Sequence, residues 1–370
     1  METGVKMAVD NVGECRAKPY DLPLVLVADV YGCPNRCRHC WLGHMPNRRM
    51  EKGIDAWMVD YFRPHFSSIT YQSWLREPDF GPDYRELWER EKQLSVNGNP
   101  QRFELASFWR LVRDPDYVRF LKEVNVQKVQ LTFFGLEGMT DRHVGRKGAF
   151  RELLRATDIL LENQIAPRWQ AFIHEENKDE IVQLLALSKE LRLEERCRAF
   201  GSEFAFFVHA GSCDGENRKL YGVRLKKEHL PEVLLPYYWQ WEETLTEAEC
   251  CRLLAGEEQC VTYHVEKEVV LNISNNLDVF YNFTHMTPEW KIGNLKDDAP
   301  SELVRQIMEE DTTALRLSRG ISAGELVQRY GNPASHKIFF LEDYKGYLLN
   351  RYLEEVGKAP EGKIAKGQER

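Results

Sequence analysis

A chain of 370 residues with 43% hydrophobic content can bury more than one core, so one large domain with a smaller companion is the expectation. The 50 basic against 58 acidic side chains leave a net charge of −8 without any Lys/Arg block interleaved with aromatics, which argues against a nucleic-acid partner. No apolar run approaches the ~18 residues of a membrane span, Met1 to Tyr20 lacks the basic-then-apolar order of a signal peptide, and the 9 cysteines lack paired spacing, so a reducing, cytoplasmic setting is expected.

Residues 1–20 read as an N-terminal extension. The apolar run Leu22 to Val30 then reads as a strand buried on both faces, and it leads into Asp29-Val30-Tyr31-Gly32-Cys33-Pro34-Asn35-Arg36-Cys37-Arg38-His39-Cys40-Trp41. Three thiols within eight residues therefore sit on the loop leaving the C-terminal end of a strand, where parallel α/β folds place their chemistry. Clustered soft thiolates suit zinc or an iron–sulfur cluster. Zinc knuckles come as two CxxC pairs and no second pair exists here, although a Cys₃His zinc site using His39 or His44 stays open. Three cysteines can also hold three irons of a [4Fe–4S] cluster and leave the fourth iron open to a ligand.

The spacing CxxxCxΦC, with His39 at the Φ position, resembles the signature of the radical S-adenosylmethionine (radical SAM) enzymes. The resemblance implies that Cys33, Cys37 and Cys40 hold one [4Fe–4S] cluster, and that its open iron chelates the amino and carboxyl groups of S-adenosylmethionine. Reductive cleavage of that cofactor gives a 5′-deoxyadenosyl radical, which takes a hydrogen atom from substrate. An external electron donor such as flavodoxin or ferredoxin is implied with it.

Past the loop, strand-like and helix-like segments alternate, the pattern of a parallel sheet wrapped by helices. Ile54, Trp57, Met58 and Tyr61 make one helix face, Phe66 to Tyr71 a second strand, and Tyr84, Leu87, Trp88 and Leu94 the inner face of a helix opening near Pro82-Asp83. Arg102 to Ser107 is expected to be a third strand, followed by a helix carrying Tyr117, Phe120, Leu121 and Val124. Val129 to Phe134 gives a fourth strand running into Gly135-Leu136-Glu137-Gly138. A helix with Phe150, Leu153, Leu154, Leu160 and Leu161 leads to a fifth strand, Arg168 to Ile173. Asn177-Lys178-Asp179-Glu180 has the form of a capping box before a helix with Ile181, Leu184 and Leu185, and Glu203 to Val208 is the sixth strand. The expected fold is α/β: a partial (βα)₆ TIM-like barrel over 21–235, as in the resembled family.

The segment Phe134 to Phe150, FGLEGMTDRHVGRKGAF, is similar to the fourth-strand segment of the radical SAM branch that carries C-terminal SPASM or twitch extensions. Its register puts Ile69 to Pro78 where relatives have Gly-Gly-Glu-Pro, of which only Glu77-Pro78 stands here, and it disfavours Gly135-Leu136-Glu137 as the rival. The resemblance assigns Glu77 to the cofactor's amino group and places His39 beside the bound cofactor. Gln170 and Asn177 are candidate cofactor contacts, although Asn177 also reads as a plain helix cap. His174 and His209, at strand ends, face either the site or the core.

Beyond Tyr237-Tyr238-Trp239-Gln240-Trp241 the composition shifts, and 236–356 is expected to form a smaller α+β extension. It carries a helix with Cys250, Leu253 and Leu254, strands Val265 to Ser274 and Leu277 to Phe283 joined at Asn275-Asn276, and a capping box Ser322-Ala323-Gly324-Glu325. Trp290-Lys291-Ile292-Gly293-Asn294-Leu295 is similar to the end of a SPASM or twitch module. Such modules hold auxiliary clusters on cysteines near the hairpin, where Asn282, Thr284 and His285 stand here. Cys197, Cys213, Cys250, Cys251 and Cys260 make no CxxC pair, so a degenerate module that covers the barrel mouth is expected, with 357–370 a disordered tail.

Without an auxiliary cluster to accept an electron, outcomes needing no external acceptor are favoured: epimerisation, rearrangement, elimination or carbon–carbon bond formation. With about twenty residues before the first strand, a small-molecule substrate such as a sugar or amino-acid derivative is the first expectation. Modification of a ribosomally made precursor peptide is the second, and a non-catalytic iron–sulfur or zinc protein the third.

Overall fold

The protein is described by a computed structural model covering residues 20–102, 104–213, 215–261, 267–281 and 286–357. Asn282, Thr284, His285, most of the N-terminal extension and the tail after 357 lie outside the described residues.

The first half lays down β1 (Leu24–Ala28), α1 (Ile54–Phe62), β2 (Ile69–Gln72), α2 (Tyr84–Leu94), α3 (Phe108–Leu111), α4 (Pro115–Glu123), β3 (Lys128–Phe133), α5 (Glu137–Val144), α6 (Ala149–Glu162), β4 (Ala166–Phe172), α7 (Lys178–Glu190), α8 (Leu193–Arg198) and β5 (Ala205–His209). The remainder adds β6 (Leu245–Thr246), α9 (Glu247–Leu254), β7 (Val269–Ile273), β8 (Asp278–Tyr281), β9 (Lys291–Asn294), α10 (Pro300–Met308), α11 (Thr313–Ser318), α12 (Ala323–Tyr330), β10 (Ile338–Phe339) and α13 (Leu341–Gly357). The fold is mixed α/β. β1 pairs in parallel with β2, and β3, β4 and β5 pair in parallel in that order.

Among the described residues, the third strand expected over Arg102 to Ser107 does not form. Glu104 sits at φ 60°, in the left-handed region that breaks an extended run, and the Leu105 amide turns back onto the Arg102 carbonyl at 2.9 Å. The flanking side chains are taken elsewhere: Arg102 is ion-paired with Asp79, and Ser107 caps α3 by accepting from the Arg110 amide. Among the described residues, Gln130 N–H, donating to the Glu104 carbonyl at 2.9 Å, is what joins this segment to β3. The strands therefore fall into separate groups on either side of it.

On the other side of β1 the sheet continues through the C-terminal region. β7 pairs with β1 in parallel, Leu24 opposite Val269 through Ala28 opposite Ile273, and β8 and β9 follow antiparallel, giving the order β2-β1-β7-β8-β9. The turn at Asn275-Asn276 closes the expected hairpin, with Leu277 at φ 68°. One apolar core runs from Leu24, Leu26 and Ala28 under this sheet to Leu348, Leu349 and Leu353 of α13, so residues far apart in sequence share it. A second core lies behind β3, β4 and β5 around Trp169, Phe133 and Leu160. The capping box at Ser322 forms as the sequence suggests, with Ser322 N–H donating to Glu325 at 2.9 Å and Glu325 N–H to Ser322 Oγ at 3.2 Å.

Along the strands the two-residue period sorts side chains into two sets. Leu24, Leu26, Ile69, Tyr71, Val129, Leu131, Trp169 and Ala171 enter the cores. Val25, Val27, Thr70, Gln72, Gln130, Thr132, Gln170, Phe172 and Val270 instead line a single cavity of about 1660 Å³ enclosed by the strands.

Candidate active site

The loop after β1 carries the three thiols to one end of that cavity, where Cys33, Cys37, His39, Cys40 and Glu77 all form part of its wall. The loop is pinned from several directions. Asn47 brackets Cys33, its amide donating to the Cys33 carbonyl at 2.7 Å and accepting from the Cys33 amide at 3.1 Å. Arg36 N–H and Arg38 N–H donate to the carbonyls of Val144 and His143 at 3.0 and 2.8 Å, and Glu216 N–H donates to Cys40 at 2.7 Å. Gly145, at φ 72°, lies so close that a β-carbon there would stand 2.6 Å from the Arg36 carbonyl oxygen, so the loop requires glycine at this approach.

Beneath the loop Arg76 grips Asp29 with two nitrogens, Nε at 3.0 Å from Oδ1 and an Nη at 2.7 Å from Oδ2, while its other Nη donates to the Met45 carbonyl at 2.7 Å. Burial pushes the Asp29 carboxyl upward against the pull of Arg76, so the pair orients the loop more than it stabilises the chain.

All three thiols are held above their ordinary range. Burial is the first cause for each, joined for Cys33 by the nearby Glu77 charge and for Cys37 by Cys40. A set of thiolates gathered with a carboxylate calls for a strong cation, and bound iron inverts the balance that now keeps them protonated. The donor set is soft and all-sulfur, which fits a cluster. Among the described residues, the group of three His, Cys, Asp or Glu donors gathered within 4.8 Å of one another is His143, His174 and Glu176. The three sulfurs therefore do not all lie within 4.8 Å of one another.

Glu77 reaches the thiols directly: Cys33 Sγ donates to Oε2 at 3.7 Å, while Ser107 Oγ donates to Oε1 at 2.7 Å. Burial lifts its carboxyl to about 7, partly offset by those two hydrogen bonds. His39 lies between the rings of Phe134 and Phe172, each centroid 4.5 Å away, with Nδ1 unpartnered. Burial, then the neighbouring His143 and His209, lowers it to about 3, so it stands as a neutral flat ring on the cavity wall. Gln170 also faces the cavity; its Oε1 accepts from Gln130 at 2.5 Å and Thr132 at 3.1 Å, and its Nε2 lies 2.5 Å from His209 Nε2.

Asn177 does not line the cavity. At 1% exposure it accepts from His174 N–H at 2.7 Å and donates to the Phe134 and Phe172 carbonyls, each at 2.8 Å, which ties together the ends of β3 and β4. The capping box expected with Glu180 is absent, because Glu180 instead accepts from Leu136 N–H at 2.7 Å across the gap to α5. Asn47, Asp29, Arg76 and Ser107, which sequence reasoning passed over, complete the site. The alternation of Thr70, Gln72, Gln130, Thr132 and Gln170 along three strands was the available signal that those strands have a polar, cavity-facing side.

The far wall comes from the C-terminal region, through Trp239, Gln240, Glu243, Glu268, Phe340 and Asp343. The other cysteines are elsewhere: Cys197, Cys250 and Cys251 are buried in the cores, Cys251 within 3.2 Å of the Tyr344 hydroxyl, and Cys260 Sγ donates to the Arg319 carbonyl at 3.2 Å.

No protein-family model matches this chain, and no curated protein sequence does. Among solved structures it is similar to native anSMEcpe with bound AdoMet, at 13% identity and a TM-score of 0.45, covering 91% of this chain and 100% of that one. It is also similar to Streptococcus suis SuiB bound to precursor peptide SuiA, at 11% identity and a TM-score of 0.43, covering 86% and 75%. BtrN in complex with AdoMet and 2-DOIA aligns at 9% identity and a TM-score of 0.21, over 86% and 94%. Likeness this distant leaves the chemistry to be read from the residues of the cavity. No helix among the described residues is long and apolar enough to cross a membrane.

Proposed function

We propose that the chain is a radical SAM enzyme with its cluster on Cys33, Cys37 and Cys40, and that it modifies a peptide substrate. The observation that carries the reading is the convergence of three thiols, one carboxyl and a neutral aromatic-caged imidazole at one end of a strand-walled cavity. When bound, the cluster and S-adenosylmethionine supply reductive cleavage and a carbon radical that abstracts hydrogen. The protein's own groups bind and orient: Glu77 faces the cofactor's ammonium, and His39 offers a ring face beside it. Phe172, Val25, Val27 and Val270 keep the reacting centre apolar and dry. Residues 21–235 hold the cofactor in a partial barrel, and 236–356, read as a degenerate SPASM- or twitch-like module, cover the mouth. An external flavodoxin- or ferredoxin-like donor supplies the electron.

The substrate choice reverses the first expectation. The cavity, at about 1660 Å³, exceeds the ~300–1,000 Å³ of ordinary small-molecule sites even though it must also hold cluster and cofactor. It opens beside Trp239, which is 52% exposed and suited to pack against a peptide chain. A small biosynthetic intermediate is the second reading, favoured by the amide and hydroxyl row of Gln72, Gln130, Thr132 and Gln170, which suits sugar hydroxyls.

The deciding experiment is anaerobic reconstitution followed by reduction with S-adenosylmethionine. Close to four irons per chain and release of 5′-deoxyadenosine are expected, whereas stoichiometric zinc at the cysteines without a brown chromophore defeats the reading. Deuterium transfer into 5′-deoxyadenosine from labelled peptides, set against labelled sugars, separates the two substrate classes.

A further inference from the structure

Behind the cluster loop, outside the cavity, two histidines meet that the proposed reaction does not use. His143, near the end of α5, is 0% exposed and His174, just past β4, is 5% exposed; their ring centroids are 4.7 Å apart at an interplanar angle of 31°. None of the four ring nitrogens has a hydrogen-bond partner. Each neutral imidazole carries one N–H donor and one lone pair, so two donors and two acceptors are buried where such groups are nearly always satisfied.

The backbone does not need the rings to hold its course. His143 O accepts from Arg38 N–H at 2.8 Å, and His174 N–H donates to Asn177 at 2.7 Å. Two residues beyond His174 stands the carboxylate of Glu176, and one nitrogen from each ring and one oxygen of Glu176 lie within 4.8 Å of one another. Burial is the main cause that lowers both rings, His143 to about 3 and His174 to about 4, which leaves them in the neutral, ligating form.

We propose that His143, His174 and Glu176 form a binding site for one divalent transition-metal ion such as zinc. Two imidazoles and a carboxylate are a donor set that zinc accepts with its fourth position left to water. Donors at ~2.0–2.1 Å from a tetrahedral ion stand about 3.3 Å apart, so binding draws the three inward. Glu176 can supply that movement, since its side chain is 45% exposed and among the described residues it is ion-paired with Arg142 alone, at 3.4 Å. Arg38 and Arg142 lie close enough to oppose a cation, and Glu176 offsets part of that charge. The ion staples α5 to the end of β4 beneath Phe134, which stacks on His143 at 5.0 Å and contacts His39 at 4.5 Å. It thereby stiffens the platform behind the cluster.

The test uses the full chain, reconstituted anaerobically, given one equivalent of Zn²⁺ and desalted. One zinc per chain is expected beside the iron, with a zinc-edge X-ray absorption spectrum showing nitrogen and oxygen at ~2.0–2.1 Å, imidazole scattering, and no sulfur near ~2.3 Å. His174→Ala should lose the zinc and keep the iron. Glu176→Gln, a surface change that leaves the core intact, should weaken zinc at least tenfold in competition with a chelator. Failure of the wild type to retain zinc, a sulfur shell, or unchanged affinity in Glu176→Gln overturns the site; the first result leaves the rings to a buried water, for which the adjoining cavity of about 10 Å³ has room. Zinc binding is read whether or not the iron assembles, so the outcome stands apart from the radical reading.

Discussion

Among the described residues, buried polar atoms without a hydrogen-bond partner gather in the N-terminal half of the molecule. In the C-terminal half several buried groups are paired: Glu247 accepts from Tyr221 at 2.7 Å and Tyr344 at 3.1 Å, Trp290 donates to Asn350 at 2.8 Å, and Cys251 meets the Tyr344 hydroxyl. In the N-terminal half His39 Nδ1, Glu91 Oε2 and both rings of His143 and His174 have no partner, and three thiols and Glu77 crowd one cavity wall. A fold tolerates unmet groups where something else is to bind, since leaving them unpaired is costly. By this measure the proposed chemistry falls in the N-terminal half, and the C-terminal half takes the proposed part of cover.

The widest gap between the halves should appear at the cysteines. Replacing any one of Cys33, Cys37 or Cys40 with Ala should abolish S-adenosylmethionine cleavage, because in the proposed site each would supply one of three thiolates. Cys250→Ala should keep full iron and cleavage; iron loss as complete as in Cys33→Ala would erase the distinction.

Next in size is the Asp29–Arg76 pair, whose side chains are 1% and 7% exposed. Arg76→Ala strands a buried carboxylate and should cost about 3–5 kcal/mol in denaturant unfolding. A loss below about 1 kcal/mol, the scale of a surface pair, would show that water already reaches Asp29.

Acidity gives a third handle. Burial raises Glu91 to about 7 although Ser73 donates to it from N–H and Oγ at 2.8 and 2.5 Å. The folded state therefore holds a proton there that the unfolded chain has released above its ordinary value of 4.5, so this group's contribution to stability falls as pH rises from about 4.5 to 7. Glu91→Gln should flatten that part of the profile by up to about 3 kcal/mol. Equal slopes in wild type and variant, measured by urea unfolding at pH 5 and pH 8, would refute it.

The smallest effect concerns Glu77. A charge-assisted hydrogen bond to the cofactor's ammonium contributes roughly 1.5–3 kcal/mol, so Glu77→Gln should weaken S-adenosylmethionine about ten- to a hundredfold with the cluster intact. Cofactor titration of the reduced cluster by electron paramagnetic resonance measures it, and an unchanged curve would return Glu77 to a purely local role with Ser107.

Local pattern carried the sequence reading a long way. Thiol spacing put Cys33, Cys37 and Cys40 on one loop, apolar periodicity found the inner faces of α1, α2, α4, α6 and α7, and Asn275-Asn276 marked the hairpin. These depend on neighbours in the chain, which a sequence displays. The missing third strand turned on Arg102 finding Asp79 and Ser107 finding Glu77, contacts made 23 and 30 residues away. The pairing of β1 with β7 joins residues about 245 positions apart, and no local signal distinguishes that partner from another apolar strand. Tertiary structure alone decided that Asn177 braces strand ends rather than facing the cavity, and that His143 and His174 lie ring to ring. The reason is the same in each case: a polar side chain's role is set by which partners remain within hydrogen-bond reach once the strands have packed, and that distance is written only in three dimensions.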